Sequence, residues 1–155
     1  MSDPGETKQR CVLPPVFFLA ALVAMGALHE IAPGTRLIWP PYTYLGWIAF
    51  AAGVIAAVAV KRRFGRAGIS IKPNQVPEHL VTDGLFAYSR NPVYASMILG
   101  LAGIFVVLGT LTPALVVPVF AYLISVRFIA LEERLLEDRF GDAYRDYAGR
   151  VRRWI

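Results

Sequence analysis

Charge is laid out along this chain in blocks. Four windows, about Leu13–His29, Tyr44–Val60, Val93–Gly109 and Leu111–Leu131, are almost free of charged side chains, and the charges crowd between them. Charged residues make up 17% of the 155 and hydrophobic ones 56%, whereas an ordinary soluble domain carries about 25% charged residues. An oily soluble core spreads its charge over the outer faces of its elements. Segregation into blocks marks segments that cross a bilayer. Each window is near the ~17–25 residues needed to cross the hydrocarbon layer, the first three at the short end. The chain therefore reads as an all-α integral membrane protein, a single domain over 1–155, with four transmembrane helices arranged as two hairpins. The first window reads as a span and not a removable leader. No small-residue cleavage site follows it, and the run Trp39-Pro40-Pro41-Tyr42 suits a membrane interface.

The basic residues orient these spans. With the N-terminus inside, fourteen of the sixteen fall in inside segments: Lys8 and Arg10, then Lys61, Arg62, Arg63, Arg66, Lys72 and Arg90, then six beyond Leu131. Arg127 lies within the fourth window and only Arg36 lies outside. This asymmetry predicts a multi-pass protein of the inner cell membrane with both termini cytoplasmic. It also accounts for a pI near 9.7 without a nucleic-acid partner. Cys11 is the only cysteine, which rules out an internal disulfide and excludes thiol oxidoreductases that need cysteine pairs.

Local signals refine the spans. Pro113 fits a first helical turn, Pro118 should bend the fourth span, and Gly100 and Gly103 let another helix approach closely. Between spans two and three runs a linker over residues 61–91, long for a connection and therefore a functional candidate. Its apolar residues Ile69, Ile71, Val76, Leu80, Val81, Leu85, Phe86 and Tyr88 equip it to pack on something. After the fourth span, Phe140, Tyr144, Tyr147 and Val151 form one helical stripe. That stripe fits either a helix lying on the membrane or a lid over a cytosolic pocket shared with the linker.

Three constellations carry the polar chemistry. Arg90-Asn91-Pro92-Val93-Tyr94 opens the third span. Asn91 and Pro92 are ordinary helix starters, yet the same N-terminus suits a carboxylate or phosphate, with Arg90 beside it. Arg127, Glu132 and Glu133 stand where the fourth span leaves the membrane. Arg127 is either turned into a wet interior or snorkelling to the interface. Glu78-His79-Leu80-Val81-Thr82-Asp83-Gly84-Leu85-Phe86 ends the linker, with a turn at Asp83-Gly84. No second histidine or cysteine cluster lies near His79, so no metal site is expected. His29 and Glu30, at the outer end of the first span, read as structural.

Taken together these stretches resemble the isoprenylcysteine carboxyl methyltransferase family of membrane enzymes, a superfamily that includes phospholipid methyltransferases. The family pattern is matched by Leu80-Val81-Thr82-Asp83-Gly84, by Arg90-Asn91-Pro92-Val93-Tyr94, by Glu132-Glu133-Arg134-Leu135-Leu136, and by Phe140-Gly141-Asp142-Ala143-Tyr144 with Tyr147. The match covers residues 76–155, and the family's histidine is replaced by Asn91. The resemblance implies methyl transfer from S-adenosyl-L-methionine to a lipophilic acceptor reached from the membrane, in contact with membrane lipids. It implies a cofactor pocket built by the linker and the C-terminal amphipathic helix. Glu132, with Glu133 as second choice, would take the cofactor's ammonium. Asn91, Pro92 and Arg90 would face its carboxylate, and His79, Leu80, Val81 and Phe86 would line the adenosine. Tyr94 would face the sulfonium, and Arg127 would orient an anionic acceptor. Arg90, Tyr94 and Arg127 are thus the catalytic candidates.

Two other classes compete. An NADPH-dependent membrane reductase of the sterol-reductase type shares a similar C-terminal motif set, but no further basic cluster for a 2′-phosphate is evident. A non-catalytic membrane assembly factor is compatible with Asn91. An exporter would carry an acidic residue deep in a span, and these span interiors hold none.

Overall fold

The computed structural model describes residues 13–66 and 79–155. Of the linker's apolar residues, Ile69, Ile71 and Val76 lie outside the described residues, as do Lys8, Arg10, Cys11, Lys72 and Glu78. Helix α1 is Pro14–Ile31, α2 is Leu45–Arg66 and α3 is Pro92–Leu108. The last apolar window becomes a run of shorter pieces: α4 (Leu111–Ala114), α5 (Val116–Ile124), a π-helical turn (Ser125–Ile129) and α6 (Ala130–Phe140). Helix α7, Asp142–Arg150, follows. Among the described residues three stretches are long and apolar enough to cross a membrane: Pro14–Ile31, Tyr42–Gly65 and Leu111–Phe140. Helix α3 is apolar and 17 residues long, a rise of about 25 Å. Among the described residues there is no β-strand, only an isolated bridge between Arg36 and Thr110.

Proline and glycine explain where these helices start and stop. Pro14 and Pro92 occupy first-turn positions, where a missing N–H costs nothing. Gly109 adopts φ +70° and its N–H bonds the Phe105 carbonyl at 2.8 Å, ending α3. A Cβ there would sit 2.6 Å from the Ile38 carbonyl oxygen. Pro118 has no N–H to offer the carbonyl four residues back, which belongs to Ala114, and α4 ends at that residue. The π turn begins at Ser125, whose hydroxyl donates to the Ala121 carbonyl at 2.7 Å, a contact that loosens the regular ladder. Helix α6 runs on past the predicted end at Leu131 to Phe140, because loss of apolar character ends a span but not a helix. Gly141, at φ +52°, ends it.

The closest packing joins α2 to α3, and glycine permits it. A Cβ on Gly103 would lie 2.5 Å from the Phe50 backbone nitrogen and 2.6 Å from the Gly46 carbonyl. A Cβ on Gly53 would lie 2.7 Å from the Ser96 carbonyl and 2.9 Å from the Gly100 nitrogen. Backbone meets backbone along this seam, the arrangement that stabilises helix pairs where lipid removes any hydrophobic drive. The other helices enclose a core of Met25, Leu101, Phe120, Ile124 and Ile129, with Tyr94 at its edge. Edge-to-face ring pairs Phe17–Phe128 (5.4 Å) and Phe18–Phe120 (6.3 Å) fasten α1 to it.

At one end of the bundle, His29 Nδ1 lies 2.9 Å from Thr110 Oγ1, and the Leu37 and Ile38 N–H groups both donate to the Gly109 carbonyl. The α1–α2 connection is thereby tied to the α3–α4 turn, the structural role expected of His29. The motif residues collect at the opposite end.

The α2–α3 seam makes a direct prediction. Gly46→Ala or Gly103→Ala should cost about 1–3 kcal/mol by overpacking and lower the thermal midpoint in detergent. Gly26→Ala, with nothing within 4 Å of the added carbon, should leave the midpoint unchanged or raise it.

Candidate functional site

The start of α3 and the glutamates of α6 come together. Tyr94, buried on the first turn of α3, donates its hydroxyl to Glu132 Oε1 at 2.7 Å. Glu132 otherwise remains exposed, so one carboxylate oxygen is held by the phenol while the group stays open to its surroundings. Glu133 has a different environment. Its side chain is only 13% exposed, its Oε1 lies 3.5 Å from Arg90 Nη1, and its Oε2 receives Arg153 Nη2 at 2.5 Å. Arg153 Nε adds a second bond at 3.2 Å, which makes that pair two-pronged. The adjacent glutamates point to different partners because neighbours on a helix are about 100° apart.

Asn91 stands at the N-cap position, as the sequence predicts, but its side chain caps nothing. Its N–H is received by Ser89 Oγ at 3.1 Å, and its own amide donates to the Arg153 carbonyl at 3.2 Å. The chain beyond α7 therefore lies against the start of α3. Arg90 N–H donates to the Arg152 carbonyl at 3.0 Å, and Trp154 packs on the core cluster. Nothing in the pattern of Val151–Ile155 signals this docking, since five residues carry no periodicity to read.

The expected C-terminal stripe does not run along one helix, because Gly141 breaks it after Phe140 and Val151 lies beyond α7 in extended conformation, but its two middle residues are buried. Tyr144 and Tyr147 are 3% and 4% exposed, and Tyr147 donates its hydroxyl to the Phe86 carbonyl at 2.7 Å. Helix α7 thus packs down on the end of the linker. Burial pushes the Tyr147 phenol up to about 12, with Tyr144 adding in the same direction and Arg90 opposing. Burial, followed by the nearby Glu133, also raises Tyr144. The Tyr144 hydroxyl and Arg90 Nε are enclosed without a well-formed hydrogen bond.

The remaining sequence-predicted residues are more scattered. Phe86 sits in the 3₁₀ turn Gly84–Ala87 with its ring 5.3 Å from Phe64. A cavity of about 350 Å³ opens there, between the end of α2 and this turn, lined by Ala59, Val60, Arg62, Arg63, Leu85 and Phe86. The Arg63 guanidinium clasps Asp83 at 2.5 Å and holds its carboxyl below the usual range. Leu80 and Val81 are half-buried and His79 is exposed. Arg127, within the π turn, is exposed too, which places it on the outer surface of the bundle. Among the described residues no three His, Cys, Asp or Glu side chains converge as metal ligands would.

A model of the phospholipid methyltransferase family matches residues 42–143. The chain belongs to that family. The match takes in α2, the linker, α3 and the pieces through α6, and so includes every motif residue named above up to Ala143. Protein-S-isoprenylcysteine O-methyltransferase of Schizosaccharomyces pombe is 33% identical over 72 residues, which is 46% of this chain and 30% of that protein. An uncharacterized protein of Haemophilus influenzae is 41% identical over 63 residues, 41% of this chain and the whole of that one. The chain thus spans under a third of the yeast relative. No solved structure gives a significant match.

The two buried tyrosines separate a satisfied hydroxyl from a poorly bonded one. Tyr147→Phe should destabilise by about 1 kcal/mol, and Tyr144→Phe should cost less, because the Tyr144 hydroxyl meets Arg90 without a well-formed hydrogen bond. The raised Tyr147 value fixes the sign of the pH effect. Its contribution is full below the ordinary phenol value of 10.0 and fades as pH climbs toward about 12. Thermal midpoints of wild type and both variants across that range check this.

Proposed function

We propose that this protein is an S-adenosylmethionine-dependent methyltransferase acting on a lipophilic acceptor that reaches it from the membrane. In this reading both termini and all the motif residues face the cytosol, and the spans form two hairpins. The observation that carries it is the Tyr94–Glu132 contact, which joins the two halves of the motif set at one end of the bundle. A carboxylate held in place by a phenol, on a residue exposed at this end of the bundle, suits the ammonium of the cofactor. The start of α3 turns the positive end of the helix toward a carboxylate. Phe86, Leu80, Val81 and His79, below α7, form the side assigned to the adenosine. Tyr94 belongs beside the sulfonium, where an aromatic face attracts a cation by about 0.5–2 kcal/mol.

When bound, the cofactor supplies an already activated methyl group. The protein's own task is then alignment and exclusion of water. Helix α7, held by Tyr147, packs on the 3₁₀ turn Gly84–Ala87. Arg127, on the bundle surface at the last apolar turn before the glutamates, is suited to orient an anionic acceptor arriving from the lipid. A carboxylate or thiolate acceptor needs no base, which fits an end of the bundle whose acidic groups are already engaged by Tyr94, Arg90 and Arg153.

Titration of the detergent-solubilised protein with S-adenosylmethionine, S-adenosylhomocysteine and NADPH tests this. The first two should raise the thermal midpoint and the third should not. Stabilisation by NADPH alone would point to a reductase instead. Glu132→Gln, which still accepts from Tyr94 but carries no charge, should weaken S-adenosylhomocysteine binding by roughly tenfold or more, the effect of a lost charged hydrogen bond, while leaving the unliganded midpoint close to wild type. Unchanged affinity would remove Glu132 from the site.

A further inference from the structure

The segment Val151–Ile155 is fastened to both halves of the candidate site. On the α3 side, the Arg153 carbonyl accepts the Asn91 amide at 3.2 Å and the Ser89 hydroxyl at 3.3 Å, and the Arg152 carbonyl accepts the Arg90 N–H at 3.0 Å. On the α6 side, the Arg153 guanidinium grips Glu133 with two bonds at 2.5 and 3.2 Å. Trp154, the next residue, seats on the core cluster that contains Tyr94 and Ile129. One residue, Arg153, thus holds α3 with its backbone and α6 with its side chain. Ser89 and Asn91 on one side and Glu133 on the other are the groups it holds.

From this geometry we infer that Asn91, Glu133 and Arg153 are positioning residues for cofactor binding. They fasten the C-terminal strap, and the strap fixes the distance between the start of α3 and Glu132. The inference rests on the methyltransferase reading and divides labour inside it. Glu133 is committed to Arg90 and Arg153, both within ion-pair reach, which leaves Glu132 as the one glutamate of the pair for the cofactor. Asn91 takes a different task from the one its motif implies, because its amide is spent on a backbone carbonyl of the strap. An asparagine amide does that as a plain donor, with no proton to exchange. The histidine replacement therefore alters how the strap is held and not the chemistry of transfer.

The predicted signature is coupling through one shared element. In the full-length protein in detergent, Arg153→Ala should weaken S-adenosylhomocysteine affinity by about tenfold, as loss of a charged contact does, and Asn91→Ala, which removes a neutral hydrogen bond, by roughly three- to tenfold. The double variant should be little worse than either single one, because both release the same strap. Arg153→Lys should recover part of the loss, since it keeps the charge but not the fork. Hydrogen exchange at residues 89–94 should quicken in Arg153→Ala. A lowered thermal midpoint with wild-type affinity would mean a merely structural strap and overturn the inference. Additive losses in the double variant would overturn it as well. If the wild type itself ignores S-adenosylhomocysteine, the methyltransferase reading fails first and this inference falls with it. Wild-type binding with unaffected variants sinks the strap alone.

Discussion

The hydroxyl of Tyr94 against the carboxylate of Glu132 is the contact on which the arrangement of this end of the bundle turns. The two residues are 38 positions apart and belong to separate apolar windows. They meet only because several constraints hold at once. Gly46, Gly53 and Gly103 let α2 lie directly on α3. Gly109 reverses the chain tightly, so that the following helices return alongside α3. The π turn at Ser125–Ile129 then sets which side of α6 faces back. A π turn inserts one extra residue per turn and so rotates everything after it, and such turns recur at functional sites. Here it immediately precedes the glutamates.

The ion pairs around this contact gain from their setting. Arg90 and Glu133 are largely withdrawn from water, at 17% and 13% side-chain exposure, whereas Arg63–Asp83 and Arg145–Glu137 are open to solvent. Exposed pairs contribute little because solvent screens them. A shielded carboxylate between two guanidiniums is costly to break, since removing one partner leaves charge uncompensated. Arg90–Glu133 is therefore the shielded part of this contact, and the Arg153 fork adds to it from the solvent side.

Much of this was legible in the sequence, and the reasons differ by element. The charge-free windows located α1, α2 and α3 closely, because burial in lipid demands unbroken apolar runs and Pro14, Pro92 and Gly109 mark ends that backbone chemistry enforces. The extension of α6 beyond Leu131 was not legible from hydropathy, which reports the membrane and not the helix. Of the two glycines expected to admit a close helix, Gly103 does so and Gly100 has room for a Cβ at ordinary contact distance, while the α2 glycines Gly46 and Gly53 were not identified, although seven-residue spacing is a readable signal. Asn91 was located correctly as the first cap position and Pro92 as the first helical residue. The destination of the Asn91 amide depends on Arg153, 62 positions away, and no local pattern encodes that. Motif order brought Tyr94 and Glu132 forward as candidates, while their hydrogen bond is a fact of three dimensions.

The most direct test of this account is a double-mutant cycle on S-adenosylhomocysteine affinity with Tyr94→Phe and Glu132→Gln, measured by calorimetry. If the phenol holds the carboxylate for the cofactor, the two losses overlap, and the cycle gives a coupling of about 0.5–3 kcal/mol. Strictly additive losses, or affinity untouched by either substitution, would contradict the claim that this pair forms the heart of the site.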